Sequence, residues 1–265
     1  PLFDEYQHQA VRDGDPDEIS RILRKSGGVP PSSWTRELII DPGTQHPAVL
    51  FVAIPPPELM PEGAEAYVVY DELAGDGVKQ NDAIMLAKKV KQKSGGIKFH
   101  RMIIDEQAGR QKGPGYSIKV KDNYREALSA SRVQLETGEP YLTPGSADVG
   151  GRIGELQSWL HIQEANGLPK LRVVRGACPK LVEQLRKYKK SCVNNYVKDD
   201  RPYPYQEIDA AVCLEYWAAS FPRYVRPKYL ANDGGSVWSQ FVALRDKMRK
   251  KNDGAQIGPK YSTAG

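Results

Sequence analysis

The sequence predicts an α/β domain: a mixed sheet of five or more strands with helices on both faces. Three observations carry that prediction. First, runs rich in Val, Ile, Tyr and Phe follow one another at residues 38–41, 48–54 and 66–72, separated by Pro- and Gly-bearing connections, as in an antiparallel meander. Second, helical and extended patterns alternate after the meander, which implies crossover connections and parallel strands. Third, the stretch "YQEIDAAVCLEYWAAS" (205–220) is apolar nearly all round, the mark of a helix buried on every side.

Taken in order, residues 15–26 read as a short helix with Asp15 as N-cap, Pro16 in the first turn, basic residues near the end and Gly27-Gly28 as the stop. "GGVPPSSW" then resembles a linker, so residues 1–35 are expected to form an N-terminal helix and linker leading in from something upstream. After the three-strand meander comes a helix over 82–92, where Ala83, Leu86, Ala87 and Val90 recur at helical spacing behind Asn81 and Asp82. A fourth strand is expected at 97–105 and a fifth at 171–176, with helices at 123–133 and 149–163 between them. The second of these helices carries the stripe Val149, Ile153, Leu156 and Leu160. A helix over 178–190 opens on Pro179, and the buried helix closes a principal domain of residues 36–220. Within it Trp159, Leu214, Tyr216 and Trp217 fall at spacings expected of core residues.

The chain has 265 residues, 40% of them hydrophobic, enough to bury a sizeable core. No apolar run approaches the roughly eighteen residues of a membrane span, and the first residues lack the order of a signal peptide, so an intracellular protein with no membrane partner is expected. The three cysteines are too few and too irregularly spaced for a disulfide framework or a zinc site, and reduced thiols are expected. The net charge of +5 is uneven: residues 221–265 hold nine Lys/Arg against three Asp/Glu, while the first 220 residues hold 29 against 30. A basic tail on a near-neutral body suits an electrostatic hold on nucleic acid, or simple solubility. One side of a tail helix, with Val237, Trp238, Phe241, Leu244 and Met248, suits docking on the body or on a partner.

Three acids stand where acids are expensive. Asp41 ends the first strand in "LIIDPGTQHPAVLFVAI", Asp105 ends the fourth, and Asp209 lies in the buried helix. An ionised carboxylate in apolar surroundings is costly unless paired or bound to a metal. Each has an ordinary structural alternative: Asp41 can form an Asx turn before Pro42-Gly43, Asp105 can cap the loop that follows, and Asp209 can pair with an arginine. Taken together they point to function. If strands one and four are neighbours and the last helix packs over them, the carboxylates converge, and hard oxygen ligands suit Mg²⁺ or Mn²⁺. Two such ions about 4 Å apart activate water and stabilise the leaving oxygen of a phosphodiester.

These segments also resemble a family. "LIIDPGTQHPAVLFVAI", "AYVVYDEL", "MIIDEQAGRQKG", "LRVVRGACPKLVEQLRKYK" and "EIDAAVCLEYWAA" follow, over about residues 36–220, the segment order of the C-terminal nuclease domain of large terminase subunits from tailed bacteriophages. The resemblance implies a ribonuclease H-like fold and a metal-dependent endonuclease that cuts concatemeric viral DNA during genome packaging. It also implies two Mg²⁺ or Mn²⁺ ions on Asp41, Asp105 and Asp209, and double-stranded DNA as substrate. An ATPase motor domain absent from this chain, the portal and the small terminase subunit are the implied partners, in the host cell cytoplasm. Two features depart from the family pattern. Relatives often place two acids side by side at the helix start, whereas Ile208 precedes Asp209 here and Glu207 is one position further away. The sequence also lacks GxxxxGK[ST], the phosphate-cradling loop of the motor, so it is either the nuclease part alone or another ribonuclease H-like protein.

Arg110 and Lys112 lie in the Gly-rich loop after Asp105, placed to neutralise phosphates or simply to stay solvated, and Arg175 offers a further phosphate contact after the fifth strand. His46, five residues after Asp41, is a candidate for supporting the site or for surface decoration. Two other classes of function fit the same pattern. One is a junction resolvase or transposase-type nuclease, which differs in cutting branched or specific DNA. The other is a non-catalytic nucleic-acid binding module, which would bind DNA without cutting it.

Overall fold

The computed structural model of the chain describes residues 17–43, 47–74, 82–109, 119–193, 196–203 and 208–227. Its main sheet is made of β1 (Thr35–Asp41), β2 (Ala48–Ile54), β3 (Tyr67–Leu73), β4 (Arg101–Ile104), β5 (Leu142–Pro144) and β6 (Leu171–Val173). The strand order is β5-β4-β1-β2-β3-β6. β2 pairs antiparallel with both β1 and β3, as the meander predicts, whereas β4 joins β1, β5 joins β4 and β6 joins β3 in parallel. Five strands therefore share one direction and only β2 is reversed, which brings the C-terminal ends of β1, β3, β4, β5 and β6 to one edge. This is a mixed α/β sheet, as the sequence predicts.

Both faces are covered. Because side chains alternate along a strand, Leu38, Ile40, Val49, Phe51, Met102 and Ile104 face one apolar layer, with residues from helices α1 (Glu18–Lys25), α2 (Ala83–Ser94) and α3 (Val120–Ala130). Ile39, Leu50, Val52 and Ile103 face the other, with α4 (Val149–Leu160), α5 (Pro179–Lys187) and α6 (Asp209–Ala218). Every residue of β1 and β2 is buried, as expected of central strands sandwiched on both sides. In α6 every residue from Ala210 to Ala218 except Val212 is buried, in keeping with its all-round apolar sequence. No described helix is long and apolar enough to cross a membrane.

Several element boundaries differ from the sequence reading. The N-cap of α1 is Asp17, whose Oδ1 accepts from Ser20 N at 3.0 Å; Asp15 lies outside the described residues. That helix places Ile19 and Leu23 in the core, and Asp17 also pairs with the buried Arg172 of β6. At the other end, Thr35 Oγ1 donates to Val225 O at 2.7 Å, so residues just past α6 lie against the start of β1. β4 begins at Arg101, with Asp105 immediately beyond its end. β5 has three residues, too few to register as a periodic pattern. The helix read at 178–190 stops at Lys187, and an antiparallel hairpin, β7 (Lys189–Val193) with β8 (Tyr196–Tyr203), follows. The tail helix read at 237–248 lies outside the described residues.

A buried network ties α6 to the sheet at the end remote from Asp41. Glu37, in the middle of the N-terminal half of β1, is 1% exposed. It accepts from Arg101 Nε at 3.0 Å, from Arg101 Nη2 at 2.9 Å and from Trp217 Nε1 at 2.8 Å. Arg101 reaches on to Ser220, donating to its Oγ at 2.8 Å. Breaking a fully buried ion pair on one side costs about 3–5 kcal/mol, and the partial exposure of Arg101 reduces that figure here. Glu37→Ala is therefore expected to cost about 2–3 kcal/mol in urea denaturation. A loss below about 1 kcal/mol, the range of a surface pair, would show that the network does not anchor the helix.

Candidate metal centre

The three acids singled out in the sequence are brought to one end and one face of the sheet. Glu37, Ile39 and Asp41 alternate with Leu38 and Ile40, so Asp41 faces the α6 side; by the same period Arg101, Ile103 and Asp105 do so from β4. β1 and β4 are adjacent and parallel, with Ile40 beside Ile104, and Asp105 N donates to Ile40 O at 3.0 Å. The two carboxylates thus leave neighbouring strands, whose axes lie about 4.8 Å apart.

The position of α6 brings the third. Trp217 Nε1 meets Glu37, and one turn earlier Cys213 Sγ donates to Ala48 O at 3.6 Å, where Ala48 is the β2 partner of Asp41. The helix therefore runs antiparallel along β1. From Trp217 back to Asp209 it rises about 12 Å, while β1 advances about 13 Å from Glu37 to Asp41. Asp209, the first residue of the helix, lies one turn before Cys213, near enough for its charge to act on Asp41. At that helix terminus its charge is also favoured by the backbone dipole.

The electrostatics agree with this placement. Asp41 is 9% exposed, and burial pushes its carboxyl up to about 8; the charges of Asp105 and Asp209 add to the rise, while the bond from Gly43 N and the charge of Arg152 oppose it. The Cys213 thiol is raised by burial first and then by the charges of Asp41, Asp209 and Asp105, so it senses all three acids. The carboxylates act on one another without being gathered: among the described residues, no group of three or more His, Cys, Asp or Glu stands at separations that would hold one ion.

Both strand-end acids also form the turns that were their structural alternative. Asp41 Oδ1 accepts from Gly43 N at 3.0 Å, and Asp105 Oδ1 accepts from Gln107 N at 3.1 Å, the same i to i+2 pattern on adjacent strands. Turn formation accounts for one oxygen of each group. Asn could supply that oxygen equally well, so the turns do not account for the charges.

Arg175 is exposed in the turn after β6, at the same edge of the sheet. β6 is three strand spacings, roughly 14 Å, from β1. Arg110, Lys112, His46 and Glu207 lie outside the described residues. Two further side chains border the acids. Tyr216 is buried, as its spacing predicts, but its hydroxyl donates to Asp105 Oδ1. Arg152 lies in α4, its guanidinium 4.3 Å from the centre of the Tyr216 ring, and donates from Nε to Glu215 Oε2 at 3.3 Å. A cation three residues after Val149 and one before Ile153, inside an apolar stripe, was the available signal for Arg152; nothing in the sequence pairs Tyr216 with Asp105.

No family model matches the sequence, and no curated protein matches it. Several solved structures are similar, four of them large terminases of phages or their nuclease domains. The nuclease domain of the large terminase from bacteriophage SPP1, with bound manganese, is 13% identical at a TM-score of 0.47, over 80% of this chain and 95% of that one. The large terminase nuclease from thermophilic phage G20c is 12% identical at a TM-score of 0.44, over 74% of this chain and 85% of that one. A mitochondrial Holliday junction resolvase from yeast is 15% identical at a TM-score of 0.34, over 76% and 87% of the two chains.

Proposed function

We propose that this chain is a divalent-metal-dependent DNA endonuclease, the nuclease part of a phage large terminase, with Asp41, Asp105 and Asp209 as its metal ligands. The observation that carries this reading is Asp41: a carboxylate withdrawn from water beside two like charges, holding one neutral hydrogen bond among the described residues. Such an arrangement is unfavourable for the protein alone, and a divalent cation relieves it. The donor set fits the group. Three carboxylates supply hard oxygens, and no described thiol or imidazole competes, since Cys213 is committed to Ala48 O.

In this reading Asp41, Asp105 on the neighbouring strand and Asp209 on the helix would be the residues that hold the metal. Bound ions supply a water acidic enough to attack a phosphodiester and a charge to stabilise the leaving oxygen. The protein holds the carboxylates on two strands and a helix that are themselves packed in the core, so their spacing does not depend on loops. Arg175, Arg110, Lys112 and the basic residues beyond 221 are placed in the role of phosphate neutralisation, which positions duplex DNA without reading sequence. The motor ATPase, the portal and the small subunit belong to the same proposal as partners, and cutting of concatemeric DNA in packaging as its role.

Incubation of supercoiled plasmid with Mn²⁺, Mg²⁺ or EDTA tests it. Cutting is expected with metal, none with EDTA, and a loss of at least 100-fold in each of Asp41→Asn, Asp105→Asn and Asp209→Asn, about 2.7 kcal/mol of transition-state stabilisation or more. Intact plasmid in every lane with a persistent gel shift would favour a binding module instead. Cutting restricted to four-way junctions would favour a resolvase.

Stability of the metal-free protein gives a second test. An unfolded Asp ionises near about 3.9, whereas Asp41 in the fold is pushed up to about 8. Between these values the unfolded chain has released a proton that the folded chain keeps, so the contribution of Asp41 to stability is fully present below about pH 4 and is lost as pH rises through about 8. Relative to Asp41→Asn, the wild-type melting temperature is expected to fall between pH 5 and pH 9, and Mn²⁺ at saturating concentration should reverse the order. A pH-independent difference between the two proteins would mean that Asp41 ionises as an ordinary surface acid.

A further inference from the structure

We propose that Tyr216 is a positioning residue that sets the Asp105 carboxylate for metal binding, and that Gly145 acts on the bound ion only through Tyr216. The inference rests on the metal-site reading above. It starts from the hydroxyl: Tyr216 is 5% exposed, and its Oη donates to Asp105 Oδ1. That oxygen also accepts from Gln107 N at 3.1 Å. Two donors on Oδ1 fix the plane of the carboxylate and leave the lone pairs of Oδ2 for a cation. Partners of this kind, which touch a ligand and not the ion, typically change metal affinity 10- to 100-fold.

The tyrosine is itself held. The Arg152 guanidinium stacks on its ring, and Arg152 is locked in turn by Nη1 donating to Ser146 O at 2.6 Å and Nε donating to Glu215 Oε2 at 3.3 Å. Glu215 is fully buried and also accepts from Tyr188 Oη, so this group of side chains has little freedom. From the end of β5, the Gly145 backbone approaches the same ring so closely that a Cβ there would lie 2.2 Å from Tyr216 Cδ1 and 2.8 Å from Cγ and Cε1. These are contacts with the body of an aromatic ring, which cannot bend away. Any side chain at 145 must therefore displace the ring and carry the hydroxyl off Asp105. Gly145 N, for its part, donates to Ile104 O at 2.8 Å, which ties it to the strand that delivers Asp105.

The test is Mn²⁺ titration of the full chain, read by the electron paramagnetic resonance of free Mn²⁺, for wild type, Asp105→Asn, Tyr216→Phe, Gly145→Ala and the last two combined. Tyr216→Phe keeps the ring and removes only the hydroxyl; its melting temperature should stay within a few degrees of wild type while the Mn²⁺ dissociation constant rises about 10-fold. Gly145→Ala should weaken binding to a similar degree, yet add less than about twofold on top of Tyr216→Phe, because both act through one hydrogen bond. A merely structural role predicts instead that the two losses multiply. Multiplying losses, or Tyr216→Phe binding Mn²⁺ within twofold of wild type while Asp105→Asn is impaired, would overturn the positioning role and leave the metal site standing. A wild type that binds no Mn²⁺ would overturn both.

Discussion

The docking of α6 along β1 is the constraint on which the candidate site depends. A helix and a strand advance at different rates per residue, about 1.5 Å against about 3.3 Å, so two contacts between them fix the register of one against the other. Here the eight steps from Asp209 to Trp217 rise about 12 Å and the four strand steps from Glu37 to Asp41 about 13 Å. The Trp217–Glu37 bond pins one end, the Cys213–Ala48 contact holds the helix beside the β2 partner of Asp41, and Asp209 follows one turn before Cys213. Shifting the helix by one residue would rotate Asp209 and Cys213 together by about 100°, off the face turned to the sheet. The apolar character of the rest of α6 serves the same end, since Ala210, Ala211, Leu214 and Ala218 give the helix its close seat on the sheet.

Charge balance separates Asp41 from four buried charges elsewhere in the fold. Glu37 has Arg101 and Trp217; Glu215 has Arg152 and Tyr188; Arg172 has Asp17 and the carbonyl of Pro169. Glu72, at the end of β3 on the same edge of the sheet, accepts from Lys180 N and Leu181 N and so caps α5. Each of these buried charges meets an opposite charge or several donors, as desolvation requires. Asp41 does not. It has one backbone donor, two like charges and a guanidinium already engaged by Glu215. The structural turns at Asp41 and Asp105 explain why the chain reverses there, but not why a charge is retained at that cost.

Much of this was legible in the sequence because it depends on local pattern. The apolar runs gave β1, β2 and β3; an acid at the end of an apolar run, and another inside an apolar helix, stood out against the expense of burying them. Relations across the chain were harder to read. Tyr216 fits a core position by spacing, and only the pairing of β4 with β1 and the seating of α6 bring its hydroxyl to Asp105. Arg172 and Asp17 are 155 residues apart, and neither looks unusual alone. β5, three residues long, is defined by its hydrogen bonds to β4 and not by periodicity. Only Lys189 and Lys190 of the hairpin after α5 fall within the helix read at 178–190, because lysine-rich sequence at 186–190 suits a helix end as well as a strand start.

The most direct test of the metal centre is anomalous diffraction from a crystal soaked in Mn²⁺. The account requires density at the C-terminal ends of β1 and β4, with an Asp41 oxygen and an oxygen of Asp105 or Asp209 at roughly 2.0–2.3 Å, the range of oxygen ligands to small divalent ions, and a second peak about 4 Å away when substrate phosphate is present. Density confined to surface acids elsewhere, or an Asp209 carboxylate more than about 10 Å from Asp41 in the metal-loaded crystal, too far for any two-metal arrangement, would contradict it.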